Sequence, residues 1–114
     1  MLSEKLIKKY LPLTHTTYYI LVSLTSPLHG YGIMQKVEEL SEGEVNLGPG
    51  TLYGALSKLE KDGLIKKLAE EENDRRKSYV LTDMGREISR REFERLKALV
   101  KQTEPFFTSE GKEQ

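Results

Sequence analysis

Residues 47–65 read Leu47-Gly48-Pro49-Gly50-Thr51-Leu52-Tyr53-Gly54-Ala55-Leu56-Ser57-Lys58-Leu59-Glu60-Lys61-Asp62-Gly63-Leu64-Ile65. The run describes a short helix with a defined start, a defined end and two unlike faces. Pro49 suits the first turn, where its missing N–H would be unpaired in any case. Gly63 stands just past the end, where a left-handed residue is wanted. Between them Leu52, Ala55, Leu56 and Leu59 recur at helical spacing and form one apolar stripe. The other face carries Gly50, Thr51, Tyr53, Gly54, Ser57, Lys58 and Lys61, which are small, hydroxylated or basic. Gly54 costs a helix interior about 1 kcal/mol relative to alanine. Close approach of the helix backbone to another surface is the natural compensation. A helix buried on its leucines and offering glycine, hydroxyls and lysine outward suits a nucleic-acid groove.

The composition sets the outer limits. A chain of 114 residues with 37% apolar and 32% charged residues is expected to form one globular domain with a highly charged surface. It has no cysteine, which excludes disulfides and thiolate metal sites and fits a reducing, cytoplasmic compartment. Residues 1–10 lack the apolar core and cleavage site of a secretory signal, and no apolar run approaches the ~20 residues of a membrane helix. Eighteen basic and eighteen acidic residues give zero net charge, which weighs against a simple polyanion binder. Local clustering is what matters for phosphate. Acids gather at Glu38, Glu39, Glu42 and Glu44 and again at Glu70–Glu72, while cations gather at Lys58, Lys61, Lys66, Lys67, Arg75, Arg76 and Lys77.

Along the chain, residues 5–11 make a short amphipathic helix that Pro12 interrupts. Thr14 caps a helix running to about Thr25, and Ser26-Pro27 ends it. Gly30-Tyr31-Gly32 opens a third helix with the stripe Ile33, Met34, Val37 and Leu40, broken at Ser41-Glu42-Gly43. The helix from Pro49 follows. After Gly63 the period changes: Leu64–Leu68 and Ser78–Leu81 have strand character and are joined by a polar connector, as in a β-hairpin. Thr82 caps a final helix, with Asp83 in its first turn. Met84, Ile88, Phe93, Leu96, Leu99 and Val100 share one half of its wheel. Pro105 ends it. The fold class is therefore mainly α with a small two-stranded β-hairpin: a winged helix-turn-helix with a long C-terminal dimerisation helix. Residues 1–82 form the winged-helix unit, 83–104 the dimerisation helix, and 105–114 a flexible tail.

Five blocks of the sequence resemble the PadR-type transcriptional regulators. They are His29-Gly30-Tyr31-Gly32, Leu47-Gly48-Pro49-Gly50-Thr51-Leu52-Tyr53, Leu59-Glu60-Lys61-Asp62-Gly63-Leu64-Ile65, Arg75-Arg76-Lys77-Ser78-Tyr79 and Leu81-Thr82-Asp83-Met84-Gly85. They stand in one order at compatible spacing over about residues 10–100, and look like the short branch with one helix after the wing. The resemblance implies a homodimer on palindromic double-stranded operator DNA, usually a repressor, paired through the last helix with help from the N-terminal helix. It also implies release of DNA by a small aromatic or drug-like effector in many members. Some relatives sandwich flat ligands with tryptophan, and this chain has no tryptophan.

On these grounds the expected DNA-contacting residues are Pro49, Gly50, Thr51, Tyr53, Gly54, Ser57, Lys58 and Lys61 of the reading helix, joined by Tyr31, Gln35 and Lys36 of the helix before it. The wing adds Lys66, Arg75, Arg76 and Lys77. No Arg, Asn or Gln lies on the reading helix, so bidentate base contacts are missing and shape must carry part of the recognition. Tyr31 has two readings, a hydroxyl offered to phosphate or a ring packed in the core. Arg75 has two as well, a backbone contact or a pair with Glu70–Glu72 across the hairpin. The dimer interface is expected to use Ile88, Phe93, Leu96, Leu99 and Val100, because the last helix projects beyond its own domain, and the resemblance implies that Leu6, Ile7 and Tyr10 of the N-terminal helix join them. Phe93, Tyr18 and Tyr19 are candidate effector-lining residues, with core packing the alternative. His15 and His29 are far apart in sequence and carry no metal spacing. No G-x-S-x-G, P-loop or H-E-x-x-H occurs, so neither catalysis nor a cofactor is expected. Two other functions compete: a winged-helix protein-interaction module without DNA binding, which zero net charge and the acidic wing tip favour, and a small-molecule sensor with a secondary DNA role.

Overall fold

The computed structural model describes residues 4–68 and 77–108. Helix α1 spans Glu4–Tyr10, α2 His15–Ser23, α3 Gly30–Leu40, α4 Pro49–Lys61 and α5 Asp83–Thr103. The caps explain these limits. Thr14 accepts the Thr17 N–H at 3.1 Å and starts α2, and Thr82 accepts the Gly85 N–H at 3.1 Å and starts α5. Helix α4 begins at Pro49 and closes in a double turn. Leu64 N–H donates to the Leu59 carbonyl at 2.9 Å, Gly63 N–H donates to Glu60 at 3.0 Å, and Gly63 has φ +85°. After Thr103 the chain tightens into a 3₁₀ turn over Glu104–Phe106, around Pro105.

Strands β1 (Leu28–His29), β2 (Ile65–Lys67) and β3 (Ser78–Leu81) form an antiparallel sheet in the order β1-β3-β2. Ile65 faces Leu81 and Lys67 faces Tyr79, while on the other edge Leu28 faces Tyr79 and His29 faces Ser78. The expected hairpin is therefore present, but it has a third strand. Two residues are too few to show an alternating pattern, and β1 is defined only by its long-range pairing with β3.

The core is one cluster. Ile20, Leu21 and Leu24 of α2 and its C-cap meet Ile33 and Val37 of α3, Leu52, Leu56 and Leu59 of α4, Leu64 and Ile65 at the wing, and Ile88 of α5. Two residues expected at a dimer interface, Ile7 and Ile88, belong instead to the protomer's own interior, and two more, Leu6 and Tyr10, lie at its margin. Ile88 is fully buried and Ile7 is 6% exposed, while Leu6 and Tyr10 pack partly against the cluster. The helical pattern correctly marked them as apolar. It could not show which apolar face the protomer covers by itself. Helix α5 divides in two: Gly85, Ile88 and Glu92 are buried, whereas Phe93, Leu99 and Val100 are exposed and Leu96 is half-buried. Its 21 residues stretch the molecule to 65 × 35 × 21 Å. Among the described residues, no helix is long and apolar enough to cross a membrane. The wing tip with Arg75, Arg76 and Glu70–Glu72, and the tail beyond Thr108, lie outside the described residues.

Thr82 is the joint between β3 and α5. Its hydroxyl donates to the Gly63 carbonyl at 2.5 Å, and its N–H donates to Leu64 at 3.0 Å. Gly85 allows this close approach, because a Cβ there would fall 2.0 Å from the Leu64 carbonyl oxygen. That neighbour is backbone and cannot swing away. Gly85→Ala is expected to cost about 1–3 kcal/mol by overpacking, measured by urea unfolding; unchanged stability would contradict the contact.

Carboxylates on α5 make a second prediction. Hydrogen bonds from Arg90 and Arg91 hold Glu87 down to about 2, and the hydrogen bond from Arg95 lowers Glu92. Their native values lie below those of the unfolded chain, so the stability they contribute is present above the ordinary carboxylate range. It is lost as pH falls through the depressed values, because the unfolded chain binds protons first. Thermal melts should show a midpoint that is level near neutrality and drops below about pH 4. A midpoint that holds steady through that acid range would contradict the assignment.

Candidate nucleic-acid interface

Burial of Leu52, Leu56 and Leu59 to 0%, 1% and 2% exposure sets the rotation of α4 about its axis. Pro49, Gly50, Thr51, Gly54, Ser57, Lys58 and Lys61 are then all exposed on the outer side, as the sequence pattern requires. A Cβ built on Gly50 or Gly54 meets nothing within 4 Å. The protein itself therefore has no packing need for glycine at either place. Ala55 is only half-buried and sits at the margin of the stripe.

Tyr53 behaves differently from its neighbours. It is 47% exposed, and the end of its ring lies on Gly30 at the start of α3. A Cβ at Gly30 would fall 2.0 Å from Tyr53 Oη and 2.7 Å from Cζ. The two expected motifs thus meet: the glycine of His29-Gly30-Tyr31-Gly32 makes room for the tyrosine of α4. Tyr31 is 68% exposed, which removes the core-packing reading of its ring.

Together these residues border a groove of about 560 Å³. Gly30, Gly32, Tyr31 and Gln35 line it from α3, Tyr53 from α4, and Lys77, Ser78 and Tyr79 from the wing. His29, at the N-cap of α3, approaches Ser78 Oγ at 3.3 Å through Nε2, which gives this histidine a packing role at the β1–β3 edge. Burial pushes the Tyr79 phenol up, so it stays a neutral group in the wall.

The charge distribution is polar across this surface. Helices α2 and α5 have threonine caps, but neither α3 nor α4 has a side-chain capping hydrogen bond or an acidic residue in its first turn. No acidic side chain in the first turn offsets the partial positive charge at either of those two N-termini. Among the described residues, Lys58, Lys61 and Lys77 enter no ion pair with an acid. At the other end of α3 the field reverses, where Glu38, Glu39 and Glu42 surround a shallow hollow that also includes Gln35.

Not every expected contact joins the groove. Lys36 is exposed but sits 3.6 Å from Glu39 in an ion pair. Lys66 lies on the far side of the wing, where it borders a hollow with Asp83 and Glu87. Lys67 leans on α4 through Glu60 at 3.7 Å. Strand alternation separates these two lysines, and only the register with β3 shows which face each one takes. The sequence pattern also missed Ser78 and Tyr79 as walls of the groove. Their place in the Arg75-Arg76-Lys77-Ser78-Tyr79 block was the signal available. Tyr18 and Tyr19 pack on the core, in keeping with a structural role, and no metal-binding cluster of His and carboxylates occurs among the described residues.

Residues 20–91 match the model of the transcriptional regulator PadR-like family. A PadR family transcription regulator from Clostridium difficile is 27% identical, superposes with a TM-score of 0.71 and covers 83% of this chain and 100% of its own. A PadR-like transcription factor from Bacteroides fragilis is also 27% identical, with a TM-score of 0.65 over 78% of this chain and 86% of its own. An uncharacterized 37.1 kDa protein in transposon TN4556 of Streptomyces fradiae is 47% identical over 66 residues, 58% of this chain. The match spans 18% of that longer relative. The family match takes in α3, α4, the described wing strands and the first turns of α5, and on it the chain belongs to the PadR-like family of transcriptional regulators, which are not enzymes.

Proposed function

We propose that this chain binds double-stranded DNA as a homodimer and represses transcription from an inverted-repeat operator, working in the cytoplasm. The observation that carries the reading is the groove where the first turn of α3, Tyr53 of α4 and Lys77 of the wing converge, with the bare Gly50–Gly54 face on the same helix as Tyr53. Helix α4 lies in the major groove, with its glycines bringing the backbone close to the base edges. Thr51, Ser57, Lys58 and Lys61 reach base edges or phosphates, while Pro49 and Gly50 present the helix N-terminus to the backbone. Tyr31, Gln35 and Lys77 hold one phosphate run alongside, and Arg75, Arg76 and Lys66 add charge from the wing. Lys36 shares its charge with Glu39 and adds less.

The exposed half of α5 is the pairing surface. Phe93, Leu96 and Val100 border an apolar hollow of about 430 Å³, and Leu99 lies exposed on the same helix half. A second copy related by a two-fold axis covers this face in both protomers at once. A small aromatic effector would enter at the same seam, which Phe93 lines.

Gly54→Ala tests the DNA reading by separating two effects. Alanine has open space in the free protein, so it should stabilise the fold by about 1 kcal/mol. It should also weaken duplex binding, because the new methyl group stands between helix and DNA. A variant that melts higher and binds equally well would overturn close approach of α4. Charge is tested by salt: duplex affinity should fall steeply with ionic strength, and Lys77→Ala, which removes one cation from each protomer of the dimer, should reduce the log–log slope by about 2. A flat salt dependence would point to a protein partner instead. For the dimer, light scattering should show two chains for the parent and one for Val100→Glu; a parent that is monomeric at micromolar concentration would remove the pairing surface.

A further inference from the structure

The segment that leaves α1 touches the C-terminal end of α4 and the middle of α5, two helices that lie far apart in sequence. On one side Tyr10 Oη donates to Asp62 Oδ2 at 2.6 Å, and Lys9 Nζ donates to the same oxygen at 3.0 Å. Asp62 is the C-cap residue of α4. On the other side the Leu13 N–H donates to Glu92 Oε1 at 3.3 Å. Glu92 is 1% exposed and is the last buried residue of α5. Arg95 closes over it, with Nη2 at 2.7 Å and Nε at 3.0 Å from its two oxygens. Ile7 and Leu13, both 6% exposed, anchor the segment between these contacts.

A buried carboxylate is expensive to desolvate, and an apolar residue of similar size commonly serves stability as well or better. The core therefore gives no reason for glutamate at this point of the stripe. Direction does. Apolar contacts allow a helix to roll and tilt, whereas a backbone hydrogen bond and a forked ion pair fix an orientation. Beyond Glu92, only Leu96 of α5 is even half-buried. The course of the projecting half is thus set where Leu13 and Arg95 hold Glu92.

We infer that residues 9–13 are a strap that fixes the angle between α4 and α5, with Tyr10 and Glu92 as its positioning residues. In a dimer paired through α5, that angle sets the separation of the two reading helices and hence the half-site spacing the protein accepts. The spacing consequence rests on the proposed function; the strap within one protomer does not. Two side chains remote from the reading face thereby govern the spacer while leaving the half-site sequence to α4.

The chain has no cysteine, so Ser57→Cys and Lys101→Cys place one spin label on each helix. Diluting labelled protein into an excess of unlabelled protein restricts the measured distance to one protomer. The parent should give one narrow distance distribution. Tyr10→Phe with Glu92→Met keeps the ring and the side-chain length but removes both anchors. It should broaden or displace the distribution: a tilt of about 15° moves a label nine residues along α5 by roughly 3–4 Å. Ile20→Val, which lowers stability away from the strap, should leave the distribution narrow. If the double variant does not fold, Tyr10→Phe alone should still broaden or displace the distribution, and a folded Tyr10→Phe with the parent's distribution overturns the strap. A folded strap variant with the parent's distribution overturns the strap. Selection of bound DNA from a random pool then tests the spacing: the variant should recover the parent's half-site with a spread of spacers. An unchanged spacer beside a broadened distance overturns the link to spacing. A parent that selects no DNA overturns the proposed function and leaves the strap to stand on the distance result.

Discussion

The organisation of the molecule depends on the burial of three leucines of α4. Leu52, Leu56 and Leu59 lie under α2, α3 and the wing with almost no surface left to water. At about 25 cal/mol per Å² of apolar surface, each such side chain is worth roughly 1.5–3 kcal/mol, so the three together outweigh the roughly 2 kcal/mol that two helix glycines cost. The balance allows α4 to carry Gly50 and Gly54 on its outer face and still form. The same burial fixes its rotation. With the leucines inward, no other arrangement places the hydroxyls and lysines than the outward one, beside the opening of α3.

That opening makes the interface more than a single helix. Gly30 yields its side-chain space to the ring of Tyr53, so the start of α3 and the first turns of α4 meet at van der Waals distance. The short β1 strand then draws His29 against Ser78 and brings Lys77 to the groove. The first turn of α3, Tyr53 of α4 and one cation from the wing border the same groove, while Glu38 and Glu39 lie at the opposite end of α3. Zero net charge is thus compatible with a local positive site, because the two signs are separated in space.

Local patterns in the chain made most of this readable. Caps, breakers and periodicity located all the helices, because each is a property of a few adjacent residues: Thr14, Pro49, Gly63, Thr82 and Pro105 act where they stand. What stayed hidden depends on partners distant in sequence. Strand β1 has two residues and no pattern of its own. Ile88 and Phe93 look alike on a helical wheel, yet one is in the core and the other in water. Glu92 looks like one more charge on a charged helix until Leu13 and Arg95 are seen to enclose it. Lys66 and Lys67 are adjacent in sequence but lean to opposite sides of the wing. In each case a third dimension decides between residues of the same chemistry.

The most direct measurement is an amide NMR titration of the ¹⁵N-labelled protein with a short duplex DNA. The account predicts shifts concentrated on Gly50, Thr51, Gly54, Tyr31 and Lys77, with the amides of Glu38, Glu42 and Glu44 unmoved. Shifts that spare α4 and gather elsewhere on the surface would contradict it.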